Sequence, residues 1–346
     1  MKKSNGTLGF PWAQVGLSVL CLVLALVLIA MIFVTAYVDH FLGQINYVTD
    51  PTGEESSGYT DPSGSEPEMS LETLPSDFSD PTWDPTWGYK DPEMPDTIIA
   101  DERLVNILLV GQDRRPGQGR QRSDTMILVT INLQDKTLTL TSFMRDLYVT
   151  IPDYANTKLN AAYQRGGFSL LCETLLVNFG VHVDGCVEVD FTGFANIIDL
   201  VGGVDIEMRQ SEINYLNKNY GFDLKVGMNH LNGQRALAYA RVRAIGSDYE
   251  RTLRQRKVLT EVFNKCKNLN LSQMTNLLNQ ALPMLTTNMS SRQITSYLIN
   301  LFPIISQCEV RQLRIPADRT FAEVDSFLVP DLEKNRQLLI NMLLPK

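Results

Sequence analysis

From residue 104 onward the chain alternates between two hydrophobic periods. VNILLVG (105–111), TMILVTI (125–131) and TLTLTSF (137–143) are short runs rich in β-branched and aliphatic residues, the pattern of buried strands. INLQDKT supplies the polar turn between the second and third. FSLLCETLLVNFG then takes helical spacing up to a stop at Gly180, GCVEVDF reads as a strand, FANIIDLVGG as a helix stopped by Gly202, and VDIEM as a further strand. Beyond these the pattern predicts a short helix over 233–239, a long one starting at Asp248 and helices around 272–282 and 290–300. The strand VRQLRI and a last helix near 331–343 follow. Strands alternating with helices predict an α/β domain.

Upstream the pattern changes twice. Residues 12–38 carry no charged side chain, and GLSVLCLVLALVLIAMIFV within them is long enough to cross the roughly 30 Å hydrocarbon layer as a helix. Lys2 and Lys3 precede this run. The expected topology therefore puts 1–11 in the cytoplasm, 12–38 in the cell membrane as one uncleaved anchor, and the rest outside. A cleaved signal peptide is the competing reading, against which stand the length of the run and the lack of an A-x-A-like site after it. Residues 39–102 are rich in Pro, Ser, Gly and acid, with DPTW in tandem, and predict a disordered stalk. That leaves 103–346 as the extracytoplasmic domain.

Charge follows the same division. Residues 50–102 hold fifteen acidic side chains against Lys90 alone, whereas 103–346 hold 28 basic against 23 acidic, so the net −8 hides a mildly cationic outer domain. An excess of +5 is too weak to argue for nucleic acid as a partner, and the expected topology keeps the domain from cytoplasmic DNA. The five Cys form no C-x-x-C; Cys172 and Cys186 could pair outside the cell, although scattered thiols in a large core are more often free. His40, His182 and His230 offer no zinc spacing.

Candidate chemistry lies at the strand ends. If the first two strands run antiparallel, Asp113 just past one and Asp124 at the start of the other lie at one sheet margin, with Arg122 beside them. The third strand returns Arg145 and Asp146 there. A solvated loop is the alternative for this stretch, and GQDRRPGQG lacks the G-K-[ST] of a Walker A loop. The second cluster is ALAYARVRAIGSDYERTLRQRKVL. Arg241 and Arg243, two apart, share a side if extended. Ser247 and Glu250 form a capping box that starts a helix at Asp248. Asp248, Arg251 and Gln255 then occupy one stripe that continues through Leu259, Val262 and Cys266, while Arg254, Arg256 and Lys257 read as a solvated face. Guanidiniums held together repel by about 4 kcal/mol per pair at 4 Å in a partly buried setting, so an anion is expected among them. Phosphate at a helix N-terminus, with a divalent ion on the acids, fits; an internal Arg–Asp network is the competing account.

RSDTMILVTIN, SFMRDLYVTIP, TKLNAAYQRGG, DFTGFANIIDLVGGVDI, LNGQRALAYARVR and SDYERTLRQRKVL occur in an order by which the chain resembles the LytR-CpsA-Psr family of cell-wall ligases of Gram-positive bacteria. The resemblance covers about 104–265 and is weak beyond about 270. Met144 departs from it, since the family usually has Pro before the Arg–Asp pair. The resemblance implies an α/β/α sandwich with a central mixed sheet and an apolar tunnel for a polyprenyl-pyrophosphate-linked glycopolymer. It implies Mg²⁺ (or Mn²⁺) on Asp113 and Asp124, and pyrophosphate held by Arg145, Arg243 and Arg251. Lys158, Arg241, Arg122 and Gln255 would complete the polar site. Asp124 and Asp248 are the candidates for any general base, and the metal is expected on Asp124 as well. The implied reaction transfers a phospho-glycopolymer, such as wall teichoic acid or capsule, to peptidoglycan. A non-catalytic binder of the lipid-linked polymer and a pyrophosphate hydrolase remain as alternatives. A transcriptional attenuator would need a DNA-reading motif that the sequence lacks.

Overall fold

The computed structural model describes residues 46–48, 92–112 and 120–344. The expected cytoplasmic segment, the anchor, most of the stalk and Asp113 lie outside the described residues. Among those described, no helix is long and apolar enough to cross a membrane.

The described chain runs β1 (Asn46–Tyr47), β2 (Leu104–Gln112), β3 (Ser123–Asn132), β4 (Thr137–Phe143), β5 (Tyr148–Val149) and β6 (Thr157–Lys158). Next come α1 (Leu159–Phe179), β7 (Gly185–Val189), α2 (Phe191–Leu200), β8 (Val204–Met208), α3 (Gln210–Tyr220), β9 (Gly227–Leu231), α4 (Gly233–Arg241) and α5 (Asp248–Lys267). The remainder is α6 (Leu271–Ala281), β10 (Leu285–Thr287), α7 (Ser291–Ile305), β11 (Glu309–Ile315), β12 (Phe321–Val324), β13 (Phe327–Pro330) and α8 (Leu332–Leu343).

Seven strands form a mixed sheet in the order β1-β10-β7-β2-β3-β4-β11. β2, β3 and β4 are antiparallel neighbours, while β7 joins β2 and β11 joins β4 in parallel. Alternation along these strands divides the core in two. Leu108, Val110, Met126, Leu128 and Phe143 pack with Leu171 and Leu175 of α1 and Leu339 of α8. Val105, Ile127, Ile131, Leu138 and Leu140 pack on the other side with Leu259 and Phe263 of α5 and Tyr297 and Leu301 of α7. The sheet therefore has helices on both faces. Strands apolar on both sides, as TMILVTI reads, are what such a layer requires.

Several elements differ from the sequence reading. The helix expected from Phe168 begins at Leu159 and bends at Gly166 and Gly167; Gly167, with φ 65 and ψ −147, sits where side-chain-bearing residues are strained. Its stop at Gly180 (φ 70), whose N–H bonds the Leu176 carbonyl, matches the expectation. VDIEM leaves the main sheet and pairs with β9 as a separate ribbon. Parts of the expected stalk are also ordered: Asn46–Tyr47 extends the sheet beside β10, and Ile99, fully buried, donates its N–H to the Gly180 carbonyl at 2.7 Å.

Candidate functional site

The site occupies the sheet margin where β2, β4, β7 and β11 end and β3 begins, the end at which open α/β sheets place ligands. The register Gly111↔Thr125 and Gln112↔Ser123 brings Asp124 to this margin, as antiparallel pairing predicts. Arg145 and Asp146 follow directly on β4 and its short extension. The Met144 N–H, donating to the Ile315 carbonyl at 2.8 Å, ties that turn to β11 through a bond that proline could not make. Residues from the start of α5 complete the cluster.

Asp124 is its centre. Its Oδ1 accepts from Arg145 Nη1 at 2.9 Å and from Arg243 Nη2 at 2.9 Å, with Arg251 Nη1 at 3.8 Å. Burial alone would raise the Asp124 pKa, but the Arg243, Arg145 and Arg251 guanidiniums overcome it and hold the carboxyl below its usual range. Arg251, 2% exposed, donates from Nη2 to Asp248 Oδ2 at 2.8 Å, while its Nε lies 2.8 Å from Oδ1 without making a hydrogen bond. Arg145 Nε lies 3.4 Å from Asp146 and 3.5 Å from Asp248. Burial works against the charge on Arg145, yet Asp248, Asp146 and Asp124 prevail and raise its pKa; burial prevails at Arg251 and lowers it. Lys158, at the start of α1, pairs with Asp146 at 3.0 Å. Among the described residues four cations meet three carboxylates, leaving one positive charge in excess.

The expected convergence of Arg145, Arg243, Arg251, Lys158, Asp124 and Asp248 is therefore present. Three expectations need correction. Arg241 and Arg243 do not share a side: Arg241 closes α4, Val242 turns the chain, and the Arg241 guanidinium stacks 4.1 Å over the Phe191 ring, while Arg243 goes to Asp124. Ser247 stands at the N-cap of α5 but its side chain makes no cap bond, and Glu250 pairs with Arg209 at 3.2 Å. Arg254 and Arg256 are not a solvated face but are 1% and 6% exposed. Arg254 bonds the Val242 carbonyl at 2.5 Å and the buried Glu212 at 3.5 Å, clamping α3 to α5. Arg122 is drawn to Gln164 of α1 at 3.2 Å. Asp146 was legible as half of the Arg–Asp pair. Thr125, which accepts from Gln255 Nε2 at 2.9 Å, carried no signal.

Next to this cluster the stripe along α5 lines apolar space. A cleft of ≈ 580 Å³ is bounded by Leu109, Phe191, Phe194, Leu237, Gln255 and Leu259, with Arg241 at its polar side. A second, of ≈ 1040 Å³, lies among Leu109, Leu138, Leu259, Val262, Phe263 and Met274. Leu109 and Leu259 belong to both linings, so the two spaces adjoin.

Among the described residues no group of three or more His, Cys, Asp or Glu could hold a metal ion. Asp124 Oδ2 nevertheless makes no hydrogen bond, and the group is held ionised. One free carboxylate oxygen fits a hard cation that takes its other oxygens from phosphate and water rather than from a protein cage.

The α/β/α domain thus places an arginine-rich cluster beside two adjoining apolar spaces. The family model described as the LytR_cpsA_psr family matches residues 88–341, and the chain belongs to that family. Regulatory protein MsrR of Staphylococcus aureus is 31% identical over 235 residues, 66% of this chain and 69% of its own length. Polyisoprenyl-teichoic acid–peptidoglycan teichoic acid transferase TagU of Enterococcus faecalis is 35% identical over 179 residues, 50% of this chain and 57% of that protein. TagT bound to LIIa-WTA superposes with a TM-score of 0.58 at 28% identity, covering 73% of this chain and 96% of the other. TagT with bound octaprenyl pyrophosphate lipid superposes at 0.54 and 25% identity, over 74% and 99%.

Proposed function

We propose that this protein transfers a phospho-glycopolymer from a polyprenyl-pyrophosphate carrier to a hydroxyl of peptidoglycan, acting from the outer face of a membrane in which residues 12–38 anchor it. The observation that carries the reading is the juxtaposition of Arg145, Arg243 and Arg251 around one carboxylate with apolar space along the same helix. A diphosphate is a head group that arginine forks suit, and an isoprenoid is a tail that such lining suits. The relatives named as teichoic acid transferases and the TagT lipid complex support it.

In the proposed step the acceptor hydroxyl oxygen bonds to the phosphorus bearing the glycan. The bridging P–O bond breaks with its electron pair on the departing polyprenyl phosphate, which also receives the hydroxyl proton. Arg145 and Arg251 lie where they neutralise charge growing on the leaving phosphate, the main requirement of phosphoryl transfer. Arg243, 48% exposed, is free to swing from Asp124 to an entering phosphate. Asp248 accepts from Arg251 at Oδ2 and lies against its Nε, and Asp146 is held by Lys158, so these carboxylates would act as orienting counter-charges. Asp124, charged and with one free oxygen, would hold Mg²⁺ or Mn²⁺ with Asp113; the ion would supply Lewis-acid neutralisation of the phosphate oxygens.

The full chain in detergent, incubated with lipid-linked glycan, peptidoglycan oligomers and Mg²⁺, should yield a phosphodiester-linked adduct and polyprenyl phosphate. Both should vanish with chelator and in Arg145→Ala. Carrier cleavage without adduct would mean hydrolysis, and carrier binding without either product would mean a binding protein.

A further inference from the structure

Helix α5 presents two stripes. Asp248, Arg251, Gln255 and Leu259 face the site and the apolar space; Tyr249, Leu253 and Arg256, about a third of a turn away, line a separate cleft of ≈ 730 Å³ against β11. Arg256 is 6% exposed, yet its partners are neutral: Nη1 donates to Ser142 Oγ at 2.8 Å and Nε to Gln312 Oε1 at 3.3 Å. No carboxylate among the described residues pairs with it, and its Nη2 makes no hydrogen bond. A second guanidinium shares the cleft. Arg314 stacks 4.2 Å over the Tyr249 ring and donates from Nε to the Pro316 carbonyl at 3.0 Å. Of the acids lining the cleft, Glu250 is engaged by Arg209, and Asp318, which pairs with Arg314, has a side chain 88% exposed. Burial and the neighbouring Arg314 push Arg256 down to about 10, which is still charged at neutral pH. A buried cation answered by neutral dipoles, beside a guanidinium whose acid is exposed, is the environment of a site for an external anion.

Its place in the sheet says which anion. The cleft of ≈ 580 Å³ lies over β7, β2 and β3 and the larger apolar space over β2, β3 and β4; the Asp124 cluster lies at the start of β3 and the end of β4, and the Arg256–Arg314 cleft at β11, where Arg314 is the register partner of Ser142. Tyr249 follows Asp248 directly, and Ser142 precedes Arg145 by three positions. Phosphoryl transfer sets attacking and leaving oxygens in line. With the lipid phosphate leaving toward the apolar side, the attacking hydroxyl arrives from the β11 side. We propose that the Arg256–Arg314 cleft is the acceptor subsite and binds a carboxylate of the peptidoglycan strand whose hydroxyl attacks. The proposal rests on the transferase reading for the identity of the acceptor.

Two measurements on the full chain in detergent test it. The first compares KM for a peptidoglycan oligomer with free carboxylates and for the same oligomer amidated. Wild type should prefer the free acid roughly tenfold or more, the weight of one charge-assisted contact. Arg256→Gln and the more exposed Arg314→Gln should each lose that preference while binding polyprenyl pyrophosphate as wild type does. A preference kept in both folded variants, or a loss of carrier affinity equal to the rise in acceptor KM, overturns the proposal. The second, independent of turnover, is calorimetric binding of a soluble muramyl peptide beside a glycerol-phosphate oligomer. Arg256-dependent binding of the peptide supports the subsite even if no transfer occurs, in which case the transferase reading alone fails. Binding of the phosphodiester oligomer and not the peptide assigns the cleft to the polymer and refutes the acceptor role.

Discussion

Asp124→Asn separates the electrostatic role of the central carboxylate from its shape. Asparagine keeps the volume but removes the charge that answers Arg145, Arg243 and Arg251. A contact of 2.9 Å has a gross attraction of about 6 kcal/mol at an effective dielectric near 20, most of which desolvation of the partners cancels. With the Asp124 side chain 31% exposed, each short contact retains about 1 kcal/mol, so the loss should be about 2 kcal/mol and lower Tm by roughly 4–8 °C. The pH dependence gives the sharper check. The folded pKa of Asp124 lies below the unfolded value near 4, so its contribution is complete above about pH 4 and disappears as pH falls through the folded value. Calorimetric melts in EDTA from pH 7 to pH 3 should show the gap between wild type and variant closing on acidification. At the same time the cluster's excess positive charge rises from one to two, so inorganic pyrophosphate without metal should bind about tenfold tighter, while metal-dependent transfer is lost. Equal melting at pH 7, or a gap that does not change with pH, would refute the reasoning.

Arg254→Met should cost about 3 kcal/mol by leaving the buried Glu212 with only the exposed Arg209 at 3.6 Å, seen as loss of folded protein in denaturant titration and not as a selective fall in kcat. Leu259→Arg, at the residue common to both apolar spaces, should abolish use of long polyprenyl carriers while calorimetry with inorganic pyrophosphate is unchanged. Cys172 and Cys186, not joined by a disulfide and with Sγ atoms 3.2 Å apart, should be joined by mild oxidant. A mass loss of two hydrogens and a gain of about 3 kcal/mol would register that bond.

Legibility followed the range of the interactions. The first three strands and the antiparallel return that carries Arg145 to Asp124 were readable because side-chain alternation and a short turn determine both register and margin. The α5 stripe was readable because 3.6 residues per turn fixes which side chains share a face. What escaped depends on distant partners. GMNHL is strand only because VDIEM lies beside it, and three-residue β10 only because β7 does. Arg254 and Arg256 look like a solvated face until Glu212, Val242, Ser142 and Gln312, from four other parts of the chain, are seen to enclose them. Hydropathy treats every arginine alike; only tertiary structure distinguishes a buried clamp from a surface charge.

The same distinction decides between the two accounts of the Asp124 cluster. An internal Arg–Asp network and an anion site are alternatives only if the charges balance, and among the described residues four cations face three acids. The acids keep the guanidiniums from repelling one another in the resting protein and hold Arg251 and Arg145 in place, so less side-chain ordering remains to oppose binding. The excess charge and the 48% exposed Arg243 make exchange of Asp124 for a phosphate possible without unfolding the rest. A fully neutralised cluster would bind no anion strongly, and one without acids would be expensive to fold. Among the described residues the network is one carboxylate short of neutral, which makes the carboxylate count, as well as the number of arginines, a quantity that mutagenesis of this site should vary.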